Sequence, residues 1–246
     1  MKVSAIVVSH GNAAELAESL PALQPQVDEL LVIANVKGSV PAGVEALAND
    51  RPLGFGTNVN LGLTRTRGEA VLISNPDAVA EPGAVAALRD FMESRSRCGV
   101  AGPRMVFPDG SPQPSRRRFP TVGGTVVRRT PLRKVVHQRH HYHLDEPLPD
   151  LPVEADWMLG GFLLLRRAML DELGGFDAGF RLYGEDIDLQ YRAMLAGWER
   201  WYVPAALVRH EHKAVTDRRW LTRRTVWHWR GILRFVRKHP ERLREL

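Results

Sequence analysis

The sequence lacks several features that would by themselves identify its class of protein. Its 246 residues include a single cysteine, Cys98, so no disulfide can form within the chain, and a reducing compartment is favoured. No apolar run reaches the roughly 20 residues of a transmembrane helix, and Met1-Lys2-Val3 begins a strand pattern, not a signal peptide. We therefore expect a cytoplasmic protein, with peripheral attachment to the inner face of the cytoplasmic membrane left open.

The sequence also lacks the signatures of nucleic-acid binding, although it is basic. It has 34 Lys and Arg against 28 Asp and Glu, and residues 104–143 and 209–246 each carry a net charge of +8. No zinc-ligand spacing, helix-turn-helix or RNA-binding motif accompanies this charge, so nucleic acid is disfavoured as a partner. Basic segments attract other anions. The candidates are a nucleotide-diphospho-sugar, a polyprenyl-diphosphate acceptor and anionic lipid.

The chain does contain a clear alternation of strand and helix patterns. Strands are predicted at 3–9, 28–34, 69–74, 157–165 and 200–209, and helices at 12–20, 58–67, 83–95, 166–173 and 185–197. This alternation predicts an α/β fold with a Rossmann-like, mostly parallel central sheet flanked by helices. Residues 103–152 hold nine of the 17 prolines, which predicts an irregular, partly mobile excursion over the cleft.

Three carboxylates stand at the start of the last of these helices. Glu185 and Asp188 share one side at helical spacing, whereas Asp186 points elsewhere, so one carboxylate can face a cleft while its neighbours hold the turn. A positioned carboxylate can take a proton from an attacking hydroxyl and so act as a general base. The alternative is that acids in a first turn only satisfy free N–H groups and the helix dipole.

A fourth carboxylate follows the predicted strand at 69–74. Asn75-Pro76-Asp77 comes directly after an apolar, β-branched run, which places Asp77 at the carboxyl end of a buried strand. Open α/β sheets bind their ligands at that edge, and Mg²⁺ or Mn²⁺ prefers carboxylate and phosphate oxygens. The alternative is an ordinary Asn-Pro-Asp turn.

Six short motifs occur in an order that resembles one known family. They are Val3–Ser9, Gly54–Gly62, Ser74–Asp77, Gly160–Arg167, Gly174–Asp177 and Tyr183–Asp188. Together they resemble the family 2 inverting glycosyltransferases with the GT-A fold, and most of all the rhamnosyltransferase-like branch that builds bacterial cell-surface polysaccharides. The resemblance covers about residues 3–215. Each motif is weak alone, and the set does not specify the sugar.

The resemblance implies a role for particular residues. It implies nucleotide-sugar binding by Val8, Ser9, Asn35, Asn58, Asn60, Asn75 and Asp77; catalysis by Asp186 with Glu185; acceptor binding by Gly160, Gly161 and Asp188; and a Mg²⁺ or Mn²⁺ ion on Asp77 and His210. His212 is the alternative ligand to His210. Asp186 would be the general base, and the cation would neutralise the leaving diphosphate.

Two positions depart from the family pattern. The second strand of relatives usually ends in an aspartate that holds the nucleobase, and here the corresponding pair is Ala34-Asn35. Asn75 also stands where many relatives carry the first acid of an Asp-x-Asp motif. The identity of the nucleotide therefore stays open, and the predicted metal site has one carboxylate fewer than a site with the Asp-x-Asp motif.

The resemblance divides the chain into two parts. Residues 1–215 would form the GT-A domain, with a nucleotide-binding half at 1–102, a basic proline-rich loop region at 103–152 and an acceptor and catalytic half at 153–215. Residues 216–246 are rich in Trp and Arg, and we predict that they form a basic amphipathic helix. That helix could pack on the core, form a homodimer contact, or bind an anionic membrane surface.

These patterns favour an inverting, metal-dependent glycosyltransferase that moves a sugar, with rhamnose as one candidate, to a cell-surface glycan or a lipid-linked acceptor. One alternative is a sugar nucleotidyltransferase, but Ser9-His10-Gly11-Asn12 is a poor match to the glycine-rich basic loop it would need. The other is a catalytically silent protein that binds anionic glycolipid.

Overall fold

The computed structural model describes residues 1–121, 141–211 and 223–243. Most of the strands in these ranges belong to one large sheet. The strands are β1 Val3–Ser9, β2 Glu29–Ala34, β3 Leu47–Ala48, β4 Ala70–Ser74, β5 Ala78–Ala80, β6 Cys98–Val106, β7 Pro112–Gln113, β8 Arg116–Arg117, β9 Val153–Glu154, β10 Trp157–Met158, β11 Phe162–Arg166 and β12 Glu199–His210. The helices are α1 Ala13–Leu23, α2 Phe55–Leu63, α3 Ala84–Glu93, α4 Arg167–Leu173, α5 Glu185–Leu195 and α6 Arg223–Lys238. Short 3₁₀ turns follow at Gln24–Gln26 and Pro240–Leu243.

The strand order is β3-β2-β1-β4-β11-β6-β12-β5, with β7 paired to β6 and β9 to β12. The strands β3, β2, β1 and β4 run parallel, as the βαβ pattern predicts. β11 lies antiparallel between β4 and β6, and β12 runs parallel to β6. The antiparallel insertion brings the start of β11 beside the end of β4, where Phe162 pairs with Ser74.

Both faces of the sheet are covered, which explains its uninterrupted apolar strands. Alternate residues of β1 enter opposite cores: Val7 packs with α1 and α3, and Ile6 packs with α2, α4 and α5. This three-layer arrangement leaves the carboxyl ends of β1 and β4 as an edge at which a ligand site can form.

The pattern analysis misses β6, a central strand of the sheet. Its sequence contains Gly99, Gly102 and Pro103, which read as loop residues. The glycines are required by packing, because a Cβ at Gly99 would lie 2.6 Å from Met169 Sδ and one at Gly102 would lie 2.6 Å from Met158 Sδ. A tertiary requirement therefore overrides the local signal.

Some predicted boundaries are also wrong. The helix predicted to end near Pro21 continues to Leu23, because Pro21 falls in the last turn and Leu20 and Leu23 are buried in the core. The helix predicted at 58–67 begins at Phe55, where Gly54 supplies an extended N-cap. The strand predicted at 157–165 divides into β10 and β11 around Gly160 and Gly161.

The basic proline-rich region is described only at its two flanks, since residues 122–140 lie outside the described ranges. On the first flank, β8 pairs with β10, so that Arg117 lies opposite Trp157. This pairing ties the flank to the strand that leads into Gly160. Within the described ranges, none of the helices combines the length and the apolarity needed to cross a bilayer.

Candidate active site

The ends of β4 and β12 bring Asp77 and His210 together, although 132 residues separate them in the chain. His210 is the last residue of β12 and pairs with Ala78. Its Nε2 lies 3.3 Å from Asp77 Oδ1 and 3.3 Å from Asn75 Nδ2. The imidazole is buried, and the Asp77 carboxylate is partly exposed. His212, the alternative ligand, lies outside the described residues.

Gln113 on β7 contacts one nitrogen of the His210 ring. The Nδ1 of His210 lies 2.9 Å from Gln113 Oε1, and an amide oxygen can only accept a hydrogen bond, so this contact favours a proton on Nδ1. Nε2 faces Asp77 Oδ1 and the Asn75 amide, and in the neutral ring with Nδ1 protonated it would carry the lone pair. This tautomer is the one that a metal ligand requires.

The geometry of this pair fits a divalent cation. Adjacent ligands of an octahedral Mg²⁺, each at about 2.1 Å, are separated by about 3 Å, close to the separation of Asp77 Oδ1 and His210 Nε2. Within the part of the chain that the structure describes, no group of three or more His, Cys, Asp or Glu side chains could hold a metal. Two protein ligands leave the other positions to donor phosphates and water.

Asp186 lies at the start of α5 against the Gly160 backbone. Its Oδ2 accepts a hydrogen bond from Gly160 N at 3.1 Å, and its Oδ1 accepts one from Ile187 N at 2.9 Å. A Cβ at Gly160 would lie 3.2 Å from Asp186 Oδ2. The missing side chain therefore lets the carboxylate approach the backbone closely.

Gly161 links this carboxylate to the Asp77 and His210 pair. Its carbonyl accepts a hydrogen bond from Asn75 N at 2.7 Å, and a Cβ there would lie 3.3 Å from His210 Nε2. The dipeptide Gly160–Gly161 thus binds the candidate base through Gly160 and lies beside one candidate metal ligand, His210, through Gly161.

The two carboxyls at the start of α5 differ electrostatically. Burial, with the neighbouring charge of Asp186, raises the pKa of Glu185 to about 8. Burial also raises the pKa of Asp186, but hydrogen bonds from Gly160 and Ile187 and the charge of Arg117 oppose it. Glu185 Oε2 has no hydrogen-bond partner among the described residues. Glu185 is therefore the better candidate to stay protonated near neutral pH, and Asp186 to be ionised.

Several residues predicted to bind the nucleotide make internal contacts. Asn35 and Asn58 are buried, and Asn49 donates to the side-chain oxygens of both, at 2.9 and 2.6 Å. Asn60 holds the loop before α5 by two bonds to the Phe176 backbone, of 2.7 and 2.8 Å. These contacts give Asn58 and Asn60 a scaffolding role in the loops that surround the site. Asn49 and Gln113 carry no motif, and only the folded contacts identify them.

Val8 and Ser9 end β1 beside this asparagine network. The Ser9 hydroxyl donates to Ser39 O at 2.5 Å, and Asn35 N donates to Ser9 O at 2.9 Å. The end of β1 is thereby fixed to the end of β2, at the edge where ligands bind in sheets of this kind.

The sequence predicts an acceptor contact for Asp188, but the structure places this residue in the interior. Its side chain is fully buried, and its oxygens lie 2.8 Å from Arg192 Nε, 2.9 Å from Lys238 Nζ and 2.9 Å from His239 Nε2. A buried carboxylate needs such partners. Asp188 therefore joins α5 to α6 and is not part of the acceptor surface.

The fold and this arrangement of strand-end residues define a protein of the GT-A class. The sequence model described as "Glycosyltransferase like family 2" matches residues 9–229, so the chain belongs to that family.

Relatives of known name agree with this assignment. The N-acetylglucosaminyl-diphospho-decaprenol L-rhamnosyltransferase of Mycobacterium tuberculosis is 34% identical over 70% of this chain and 59% of its own length. Rhamnosyltransferase WbbL of Escherichia coli K12 is 24% identical over 94% of this chain and 91% of its own length. The chain thus spans about three fifths of the length of the mycobacterial relative.

Solved structures share the fold at low identity. GalNAc-T7 with UDP, GalNAc and Mn²⁺ superposes with a TM-score of 0.68 at 15% identity, covering 96% of this chain and 48% of the other. Glucosyl-3-phosphoglycerate synthase from Mycobacterium tuberculosis with Mg²⁺ and UDP gives 0.55 at 16% identity, covering 88% and 73%. At these identities the likeness extends to the fold alone.

Proposed function

We propose that this protein is an inverting glycosyltransferase that moves a sugar from a nucleotide-diphospho-sugar to a hydroxyl of a cell-surface glycan or a polyprenyl-diphosphate-linked acceptor. The observation that carries the proposal is the Gly160–Gly161 dipeptide, which binds Asp186 through Gly160 and lies beside Asn75 and His210 through Gly161, with Asp77 next to His210. Rhamnose is the favoured sugar, because both named bacterial relatives are rhamnosyltransferases.

Asp77 and His210 would hold Mg²⁺ or Mn²⁺ together with the donor diphosphate. When bound, the cation stabilises the negative charge that develops on the leaving diphosphate. Gln113, 2.9 Å from Nδ1, would hold the His210 ring with Nε2 toward Asp77. The partly exposed Asp77 carboxylate remains accessible to the donor.

Asp186 would accept the proton of the acceptor hydroxyl as that oxygen attacks the anomeric carbon from the face opposite the diphosphate. The hydrogen bond from Gly160 N orients the carboxylate and favours its ionised form. Glu185, kept neutral by burial, adds no second negative charge beside the attacking oxygen. One displacement of this kind inverts the anomeric configuration.

The basic flank at 116–118 supports an anionic acceptor. The guanidinium groups of Arg116 and Arg118 share one carboxylate, Glu146, at 2.9 and 2.5 Å. Burial would raise the pKa of Glu146, but hydrogen bonds from His143 and the two arginines lower it to about 2. The cluster keeps a net positive charge, and the neighbouring Arg117 stacks on Trp157 at 5.3 Å.

The outer side of α6 supports peripheral contact with an anionic membrane. Val226, Arg230, Leu233 and Arg237 follow i, i+4, i+7 and i+11 spacing, and all four are exposed. An exposed stripe that mixes aliphatic and basic side chains suits the lipid interface. A protein at the inner face of the cytoplasmic membrane would meet a lipid-linked acceptor there.

A panel assay tests this proposal. Nucleoside-diphosphate release is measured with several nucleotide-sugars, with and without a polyprenyl-diphosphate-linked acceptor, and with Mn²⁺ or excess chelator. Acceptor-dependent release that requires the metal is the expected result. Pyrophosphate release from a nucleoside triphosphate and a sugar phosphate would identify a nucleotidyltransferase, and acceptor binding without turnover would identify a silent binding protein.

A further inference from the structure

The C-terminal helix α6 packs on the turn from which α5 begins. Gly231 of α6 faces this turn so closely that a Cβ there would overlap the Tyr183 carbonyl oxygen. Phe235, four residues on, packs edge-on against Tyr191 of α5, with the ring centroids 5.6 Å apart. These two rings belong to a separate buried cluster that also contains Phe119, Trp157 and Phe180.

The turn itself is conformationally unusual. Tyr183 has φ of 71° and Gly184 has φ of 95°, so two consecutive residues lie in the left-handed region, and one of them carries a side chain. Such conformations persist only where the surroundings enforce them. The first turn of α5 also has no side-chain cap, because Gly184 is its N-cap. The start of α5 therefore depends on contacts from outside the helix.

Charged groups of α6 supply a second set of contacts. Lys238 Nζ lies 2.9 Å from both Asp177 Oδ2 and Asp188 Oδ2, so it joins the loop before α5 to the helix itself. Arg234 binds Asp177 at 2.8 Å, and His239 Nε2 lies 2.9 Å from Asp188 Oδ1. Asp188 is only two residues from Asp186.

We propose that Gly231 and Lys238 are positioning residues, through which α6 holds the Tyr183–Gly184 turn and the first turn of α5 so that Asp186 stays against Gly160. The inference rests on the proposed role of Asp186 as general base. Further along α5, Gln190 binds the Met158 backbone at 2.8 and 2.7 Å without help from α6. The middle of α5 therefore has an anchor on β10 in addition to its contact with Phe235, whereas the contacts described for the Tyr183–Gly184 turn come from α6.

This arrangement predicts that disturbing α6 lowers turnover and leaves nucleotide binding intact. Asp77 and His210 lie at strand ends of the central sheet, where β4 pairs with β11 and β12 pairs with β5. A small displacement of a catalytic group can cost about 100-fold in rate. We therefore expect kcat to fall while donor KM and nucleoside-diphosphate affinity change little.

Two substitutions test the two kinds of contact separately. Gly231→Ala adds one methyl group against the Tyr183 carbonyl and removes no charge, and Lys238→Met removes the ammonium that joins Asp177 to Asp188. Lys238→Arg is the conservative rescue. Lys2→Met makes the same chemical change at an exposed residue before β1 and serves as the control.

Each variant is assayed for kcat, for binding of the donor's nucleoside diphosphate in Mn²⁺, and for amide hydrogen exchange over residues 183–190, well below its melting temperature. We expect Gly231→Ala and Lys238→Met to lose at least about tenfold in kcat, to bind nucleotide within about twofold, and to exchange faster at 183–190. Lys238→Arg should recover most of the rate.

A kcat within twofold of the Lys2→Met control for both test variants would overturn the inference, as would equal losses of kcat and nucleotide affinity. A wild-type protein that transfers no sugar would overturn the proposed function instead. In that case the exchange rates at 183–190 still decide whether α6 holds the turn.

Discussion

At the scale of single residues, the site depends on groups that orient its candidate functional side chains. The Gln113 side chain lies 2.9 Å from Nδ1 of His210, and the Gly160 backbone amide binds the Asp186 carboxylate. Neither effect requires contact with a substrate. Groups of this kind typically change metal affinity or reactivity without changing the ligands themselves.

Replacing Gln113 with Leu should weaken Mn²⁺-dependent binding of the nucleoside diphosphate about 10- to 100-fold, because His210 loses the acceptor that keeps its proton on Nδ1. Gln113→Glu retains an acceptor at that position and is the matched control. Titration calorimetry with and without Mn²⁺ provides the measurement. Equal affinity in wild type and Gln113→Leu would exclude this role.

Glu185 gives a pH-dependent prediction for stability. Its pKa is raised from 4.5 to about 8 in the folded protein, so its contribution to stability is present below pH 4.5 and is lost as the pH rises through 8. Glu185→Gln stays neutral and should remove this loss, which has a limiting slope of about 1.4 kcal/mol per pH unit. Denaturant unfolding of both proteins between pH 5 and 9 measures the difference. Parallel pH profiles would contradict the burial of a neutral Glu185.

At the scale of elements, loops around the site are held by side chains from neighbouring helices. Asn60 of α2 binds both the N–H and the carbonyl of Phe176, in the loop that precedes α5. Arg192 of α5 binds the carbonyls of Leu173 and Gly175 in the same loop. The helices α2 and α5 thus hold the segment before α5 from both sides.

Asn60→Ala should lower the free energy of unfolding by about 1–3 kcal/mol, because two buried backbone groups of Phe176 lose their partners. Nucleoside-diphosphate affinity should stay within about twofold. Denaturant unfolding and calorimetry on the same preparation separate the two effects. A large loss of affinity at unchanged stability would restore the nucleotide-binding role that the sequence predicts for Asn60.

An element could be predicted from the sequence where its pattern is local, and could not be where tertiary contacts determine its residues. The strands at 3–9 and 69–74 were predictable because their apolar, β-branched runs need no tertiary information. The glycines of β6 were not predictable as strand residues, since only the side chains of Met158 and Met169 require them.

The same distinction holds for the site. The pairing of Asp77 with His210 could be predicted, because each residue follows a predicted strand and the family resemblance assigns both to a metal site. In the structure His210 Nε2 lies 3.3 Å from Asp77 Oδ1. Asn49 and Gln113 lie in segments without motifs, and their roles depend on contacts between distant parts of the chain. The burial of Asp188 could not be predicted, because its partners Lys238 and His239 come from another helix.

At the scale of the whole molecule, the exposed side of α6 carries Arg230 and Arg237. The outer stripe of α6 should bind vesicles that contain anionic lipid, and binding should weaken with salt, since charge interactions are screened beyond about 8 Å at physiological ionic strength. Arg230→Ser with Arg237→Ser should reduce binding about 30-fold, at roughly 1 kcal/mol for each residue. Arg89→Ser on α3 is the control. Flotation equal to wild type for the double variant would assign the membrane contact elsewhere.

We expect Asp77 and Asp186 to serve one transfer reaction in different ways. The most direct test compares Asp186→Asn with Asp77→Ala in a single assay that records nucleoside-diphosphate binding in Mn²⁺ and the rate of sugar transfer to a polyprenyl-diphosphate-linked acceptor. Asp186→Asn should bind the nucleotide within a few-fold of wild type and lose about 10²- to 10⁴-fold in rate, whereas Asp77→Ala should lose both. Near-wild-type transfer by Asp186→Asn would contradict the role of Asp186 as general base.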